Sequence, residues 1–369
     1  MQQVTIYRNP DRYAGWPANY GMWNWGNEIV LVFTAGYNGV TEGIHSRDKS
    51  RPFETMQTRS LDGGKTWSLE PFTGHSPDNR GLSADEHMNE GLRLGDILDA
   101  NPPLEPQGDI NFTHPDFALM SARTGLKTGA RSFFYISYDR CRTWEGRYDL
   151  PMFGQTAVAN RTDYVVEDID QCLLMLTVNK PDGEEGRILA VRTADGGKTF
   201  SPVSYVAEDI EETDGFMIMP STLKLGNQAL LSAVRCRGGS RAENQARTWI
   251  DLYRSEDAGT TWHYMNRPVE FRQMGHNGNP PTLHQLPDKR LVLIYGNRDK
   301  PYTVGARLSE DDGLSWSDEI TLREGGVNRD FGYPRTVVLP DGTIVTAYYF
   351  NDQPDGEGER FIEATIWKP

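Results

Sequence analysis

Arginines and histidines at the ends of short apolar runs are the residues best placed to do chemistry in this chain. Arg235 closes the run Ala229-Leu230-Leu231-Ser232-Ala233-Val234. A charged residue in that position seldom stands without a partner, and a guanidinium can hold a carboxylate through two parallel hydrogen bonds. Arg298 follows the run 290–295 in the loop Gly296-Asn297-Arg298-Asp299. Arg161 and Asp163 stand just ahead of another run, and Asp116, Lys180 and Asp330 lie in comparable loops. His276, in Gly275-His276-Asn277-Gly278, directly precedes a strand-like segment, and His45 and His114 also fall in loops. With an ordinary pKa of about 6.5, a histidine is a natural general base. Each residue also has a plain structural role open to it: a loop histidine bonded to backbone, or an arginine on the surface. Together they suit the binding of an anion and the movement of a proton beside it.

A repeated turn must position them. Ser60-Leu61-Asp62-Gly63-Gly64-Lys65-Thr66-Trp67 returns as Thr193–Phe200, Ser255–Trp262 and Ser309–Trp316. A worn copy, Ser137–Trp144, has Cys141 where the others have glycine. In Ser/Thr-x-Asp-x-Gly-x-Thr/Ser-aromatic, the carboxylate accepts N–H groups of its own loop. The glycine takes a positive φ without steric cost, and the aromatic ring buries apolar surface between neighbouring units. The aspartates, at 62, 139, 195, 257 and 311, are 77, 56, 62 and 54 residues apart. Four short strands fit in such an interval. The unit before the third turn reads as strands over 163–167, 172–178, 187–193 and 200–206. The first unit reads as strands near 17–23 and at 28–34 and 53–60. The unit at 280–322 has strands at 283–286, 290–295 and 302–308. The last unit, 335–339, 344–350 and 361–367, lacks such a turn and an outer strand, which residues 4–7 are free to supply. The longer first interval holds an acidic, turn-rich insertion at about 74–112, with one short helix expected over 85–94.

The chain has 369 residues, 52 acidic against 38 basic, and a net charge of −14. That argues against nucleic acid or an anionic membrane as the main partner. The three cysteines are scattered without metal-ligand spacing, so neither a metal nor a cofactor is expected. Met1-Gln2-Gln3-Val4-Thr5 has no basic or apolar leader character, which predicts a cytoplasmic protein.

The repeated turns resemble the Asp-boxes of the sialidase-like β-propellers, and the chain is similar nearly end to end to bacterial sialidase-like (BNR-repeat) proteins. Arg12-Tyr13-Ala14-Gly15-Trp16-Pro17-Ala18, Arg161-Thr162-Asp163-Tyr164, Gly278-Asn279-Pro280-Pro281 and Gly332-Tyr333-Pro334-Arg335-Thr336 carry that likeness. The resemblance implies an all-β, six-bladed propeller over 1–369: five boxed units, one closing unit, and a pocket on the axis. It implies a nucleophilic tyrosine at Tyr333, with Arg335 beside it. Arg235 and Arg298 then stand as the second and third arginines of a carboxylate clamp, and Asp48 as the acid/base residue. A phenol nucleophile suits an anionic substrate, which would repel a carboxylate.

Two departures stand out. Gly15 occupies the place of the first arginine, for which Arg8 or Arg12 would have to compensate. Met219 occupies the place of the glutamate that activates the tyrosine, and His276 or His45 would have to supply the missing base. Three functions follow. The first is a glycosidase for a terminal anionic sugar, with Arg12, Arg161 and Asp163 also near the substrate. The second is a lyase for uronate-containing glycans that uses His or Tyr. The third is a glycan-binding propeller without catalysis.

Overall fold

The computed structural model describes residues 1–39, 45–74, 82–89, 91–92, 103–207, 215–226, 228–240, 245–273, 275–353 and 358–369, apart from the side chain of Asp85. Six antiparallel sheets form a closed ring of blades. The third blade runs Tyr164–Asp168, Gln171–Asn179, Glu185–Thr193 and Ser201–Tyr205 from axis to rim. The fourth and fifth repeat this order, starting at Phe216–Lys224 and Thr282–Gln285. In the last blade Gly332–Val338, Ile344–Phe350 and Phe361–Trp367 are completed by Gln2–Tyr7 from the other end of the chain. Gln2 pairs with Ile366 and Val4 with Ala364, so the expected closure is present and the ring has no open edge there.

Alternation along the strands joins the blades. In Glu28–Tyr37 of the first blade, Ile29, Leu31, Phe33 and Ala35 pack with Val345, Ala347, Ile362 and Ala364 of the last. Val30 and Val32, on the other face, pack with Met120, Ala122, Phe133 and Tyr135 of the second. A period of two in the sequence thus becomes contact with two different neighbours.

The Asp-boxes tighten the rim. Ser255 Oγ donates to Asp257 Oδ1 at 2.8 Å, and Asp257 accepts Thr261 N at 2.8 Å and Thr261 Oγ1 at 2.7 Å. Gly259 has φ +84°, and a Cβ there would lie 3.1 Å from Leu173 of the preceding blade. The cysteine copy keeps the geometry: Thr143 N and Oγ1 bond Asp139 at 2.9 and 2.6 Å, while Cys141 itself holds φ +62°.

Three expectations need correction. The first inner strand is split into Arg12–Gly15 and Gly21–Trp25, with a 3-10 turn at Pro17–Asn19 between them. Pro17 has no N–H for the ladder, and Trp16 before it is left-handed at φ 53°. The second blade has three strands, Ala118–Arg123, Ser132–Ser137 and Glu145–Asp149, and no separate inner one among the described residues. In the insertion, a 3-10 turn at Asp85–His87 replaces the start of the expected helix; residues 93–94 lie outside the described residues.

Candidate active site

Tyr333 enters the axis from a distorted strand start. Pro334 cannot donate to the ladder, and the register slips between Gly332 and Arg335. Gly332 has φ +108°, and a Cβ there would lie 2.3 Å from Asn279 Oδ1. Tyr333 itself is left-handed at φ 50°. Fully buried Asn279 fixes this backbone: its Oδ1 accepts Tyr333 N at 2.9 Å and its Nδ2 donates to Phe331 O at 3.3 Å.

Guanidiniums surround the phenol. Arg235 Nη1 donates to Tyr333 Oη at 3.2 Å, and Arg235 Nε is anchored on Asn277 O at 2.8 Å. Arg298 donates to Gly278 O at 2.9 Å, Phe331 O at 3.1 Å and Tyr349 Oη at 3.3 Å. Arg161 pairs with Glu185 Oε2 and Ala159 O, both at 2.7 Å. Burial alone would raise the Tyr333 pKa; the charges of Arg235, Arg298 and Arg161 outweigh it and hold the phenol below its ordinary value. Burial lowers Arg235, with Tyr333 opposing and Arg298 adding to the effect. Glu185 stays below the ordinary carboxylate range because Arg161 overrides its burial. Met219 occupies the expected place: its Sδ lies 3.3 Å from Arg235 Nη1.

A second cluster is joined to this one. Asp330, with no exposed surface, accepts His45 Nδ1 at 2.6 Å, Tyr13 Oη at 2.8 Å, Tyr349 Oη at 3.0 Å and Arg360 Nε at 2.9 Å. Burial would raise its carboxyl, but His45 and Arg360 keep it far below the usual range. Tyr349 links the clusters, since its hydroxyl meets both Asp330 and Arg298 and its ring packs on Tyr333 at 6.1 Å. A half-buried histidine backed by a buried carboxylate is oriented for proton transfer.

The other sequence candidates lie in different settings. Asp48 accepts Ser50 N and Oγ at 2.9 and 2.6 Å, capping its own turn. Both nitrogens of His276 are engaged, one by Gly278 N of its own loop at 2.9 Å and the other by Asp299 Oδ1 of the next hairpin loop at 3.3 Å. That ring orders the loop whose carbonyls hold Arg235 and Arg298, so it positions them. Arg12 pairs with Glu54 at 2.8 Å, and Arg8 with Asp352 and Glu359. Asp116 pairs with Arg140, and its N–H reaches His114 Nδ1. Lys180 pairs with Asp182. Asp163 lies deeper on the axis, accepting Thr222 N and Oγ1 at 3.1 and 2.8 Å. Burial pushes its carboxyl up to about 7 despite those bonds and Arg335. Arg335 donates to Ala18 O and Thr162 O, and it lines a narrow space with Asp163, Arg161 and Met219.

Sequence reasoning missed Glu185, Arg123, Glu86 and Asn279. Glu185 opens the strand after an Asp-Gly turn, in the same hairpin phase as Arg298, a signal that was available. Glu86 falls within the insertion, where no repeat phase exists to read.

Comparison with known proteins places this geometry on a familiar scaffold. Residues 208–346 match the family described as BNR repeat-like domain. No curated protein matches the sequence. A Dyadobacter fermentans protein of unknown function is similar in structure at 22% identity and TM-score 0.68, covering 99% of this chain and 97% of that one. The GH93 α-L-arabinofuranosidase of Fusarium graminearum, solved with arabinobiose, gives 14% identity and TM-score 0.62, covering 100% and 98%. The NanB sialidase of Streptococcus pneumoniae gives 11% identity and TM-score 0.64, covering 99% and 70%. At these identities the likeness concerns fold alone. The chain folds as a six-bladed β-propeller, and its residues 208–346 match the family described as BNR repeat-like domain.

Proposed function

We propose that this protein is an exo-acting glycoside hydrolase for a terminal anionic sugar, with Tyr333 as nucleophile. The observation that carries the reading is the Tyr333 hydroxyl 3.2 Å from Arg235 Nη1, among guanidiniums that favour its ionised form. That field does the work of the carboxylate which Met219 replaces. Arg235 and Arg161 hold the substrate carboxylate: Arg161 Nε is buried without a partner among the described residues. Tyr333 Oη attacks the anomeric carbon, and the bond to the leaving oxygen breaks as His45 gives that oxygen a proton. Asp330 steadies the histidine throughout. Water then attacks the same carbon, His45 takes its proton, and the tyrosine is released. Asp48 caps its own turn, and both His276 nitrogens are engaged, by Gly278 N and Asp299 Oδ1, which favours His45 for the proton role. The glycosidases that share the fold support the reaction class.

The test is a screen of 4-methylumbelliferyl glycosides of N-acetylneuraminic acid, glucuronic acid and arabinose. Release from an acidic sugar, lost in Tyr333→Phe, is expected. Turnover of the neutral arabinoside alone would overturn the anionic assignment.

Met219 also favours a second reading, a uronate lyase. The Tyr333 phenolate would remove the proton α to the carboxylate, the arginines would hold the enolate, and the β-oxygen would leave with a proton. Its product is an unsaturated uronate that absorbs in the ultraviolet; a hydrolase product does not.

A further inference from the structure

A group of buried polar atoms without partners lies beside the arginine cluster and has no part in the mechanism above. The insertion brings Glu86 and His87 against Arg123, the last residue of Ala118–Arg123. Glu86 Oε1 bonds Arg123 Nη2 and lies 3.7 Å from His87 Nε2. The Arg123 and His87 side chains are 1% and 7% exposed. Among the described residues, Glu86 Oε2, His87 Nδ1, and Arg123 Nε and Nη1 are all buried without a hydrogen bond. Unsatisfied buried groups are expensive and rare, and each calls for a missing partner.

These atoms belong to the same region as Tyr333. Arg161 feels the charge of both Tyr333 and Glu86. The His87 ring stacks on Trp16 at 3.6 Å, Trp16 packs on Tyr349 at 5.9 Å, and Tyr349 packs on Tyr333. The segment is anchored where it sits: Tyr20 Oη donates to Leu82 O, Arg123 N to Ser83 Oγ at 3.2 Å, and Asn89 N to Lys49 O at 2.9 Å.

The chemistry of the atoms selects the missing partner. Two are acceptors, a carboxylate oxygen and an imidazole nitrogen. Two are guanidinium N–H donors. Burial, with the charge of Arg47 nearby, keeps His87 well below the ordinary histidine range and so neutral. A metal cation is disfavoured by Arg123 in direct contact. An anion is disfavoured by Glu86. A group that donates and accepts at once fits both sets, as a pair of neighbouring hydroxyls does.

We propose that Glu86, His87 and Arg123 form a diol-binding subsite, in which vicinal hydroxyls of the sugar donate to Glu86 Oε2 and His87 Nδ1 and accept from Arg123. This rests on reading the axial cavity as a sugar site. It adds that the sugar must present two free adjacent hydroxyls on the side facing the first two blades.

Isothermal titration of the full chain with N-acetylneuraminic acid and with glucuronic acid tests it, using wild type, Arg235→Ala, Glu86→Gln and Glu86→Asp, each with a thermal melt. The better-bound acid is then compared with the deoxy analogue that breaks its vicinal diols, 8-deoxy for N-acetylneuraminic acid or 3-deoxy for glucuronic acid. At least a tenfold weaker Kd in Glu86→Gln, with partial recovery in Glu86→Asp, is expected. The analogue should bind wild type at least tenfold more weakly than the parent acid, and Glu86→Gln should lower its affinity no further. Binding that is lost in Arg235→Ala but unchanged in folded Glu86→Gln would overturn the subsite alone and leave buried water as the partner. If Glu86→Gln does not fold, full-strength binding of that deoxy analogue to wild type overturns the subsite. Absence of binding by either acid to wild type would overturn the subsite together with the anionic-sugar reading.

Discussion

The rim and the axis of this propeller use the same chemistry to opposite ends. At the rim, Asp62, Asp195, Asp257 and Asp311 each find hydroxyl and N–H partners within four residues. On the axis, Asp330 draws partners from residues 13, 45, 349 and 360. Other axial groups, among them Glu86 Oε2 and Arg161 Nε, have no partner among the described residues. A turn that satisfies itself can be repeated around the ring. A site assembled from distant strands can leave groups open for a ligand.

The sharpest break in this comparison is Tyr333→Phe. Activity on the responsive glycoside should fall roughly 10³-fold or more, the scale seen when a nucleophile working with partners is lost. Its melting temperature should hold, because the hydroxyl makes one bond to a guanidinium that stays anchored on Asn277. Full activity in the variant would remove the nucleophile and phenolate-base roles together.

Asp330→Ala should cost stability as well as activity. It leaves Arg360, which has no exposed side-chain surface, without its carboxylate; breaking a buried pair costs about 3–5 kcal/mol. Denaturant melts would measure this, and a variant as stable as wild type would show that Asp330 is no hub.

Aspartates at the two locations should respond to pH with opposite signs. Burial raises folded Asp163 to about 7, above its unfolded value of about 3.9. The folded state therefore binds more protons in that window, and stability falls as pH rises from about 4 to about 7. Asp163→Asn should raise the melting temperature at pH 8 and change it little at pH 4. A variant no more stable at pH 8 would contradict the shift.

Asp62 and Asp257 are depressed in the folded state to about 2. For Asp62 the Thr66 bonds outweigh burial; for Asp257 the Thr261 bonds lead. Their contribution is full above the unfolded value of about 3.9 and is lost as pH falls through about 2. Asp257→Ala should give the smallest effect: a modest loss of melting temperature at neutral pH that shrinks towards pH 2, with kcat/KM unchanged. Lost activity at an unchanged melting temperature would mean the rim is not merely structural.

Local rules were legible without coordinates. The box bonds span two to four residues, strand alternation has a period of two, and an unboxed last unit needs an outer strand. Ser60 to Trp67 and its copies, the six blades and the pairing of residues 4–7 with 361–367 all follow from such short-range patterns. Arg235 and Arg298 were also visible, because a guanidinium at the end of an apolar strand is conspicuous in any order of blades. Only the tertiary structure decided what those groups meet. Tyr333 and Arg235 are 98 residues apart, His45 and Asp330 285, and Tyr13 and Asp330 317. No periodicity specifies such pairs. Residue type alone likewise could not tell that Asp48 caps its own turn, that His276 is held between Gly278 and Asp299 of a separate loop, or that Glu86, in an insertion outside the repeat, comes to lie beside the arginines. A hydrogen bond within a turn is written into consecutive residues. A bond across the axis exists only once closure of the ring brings separate strands together.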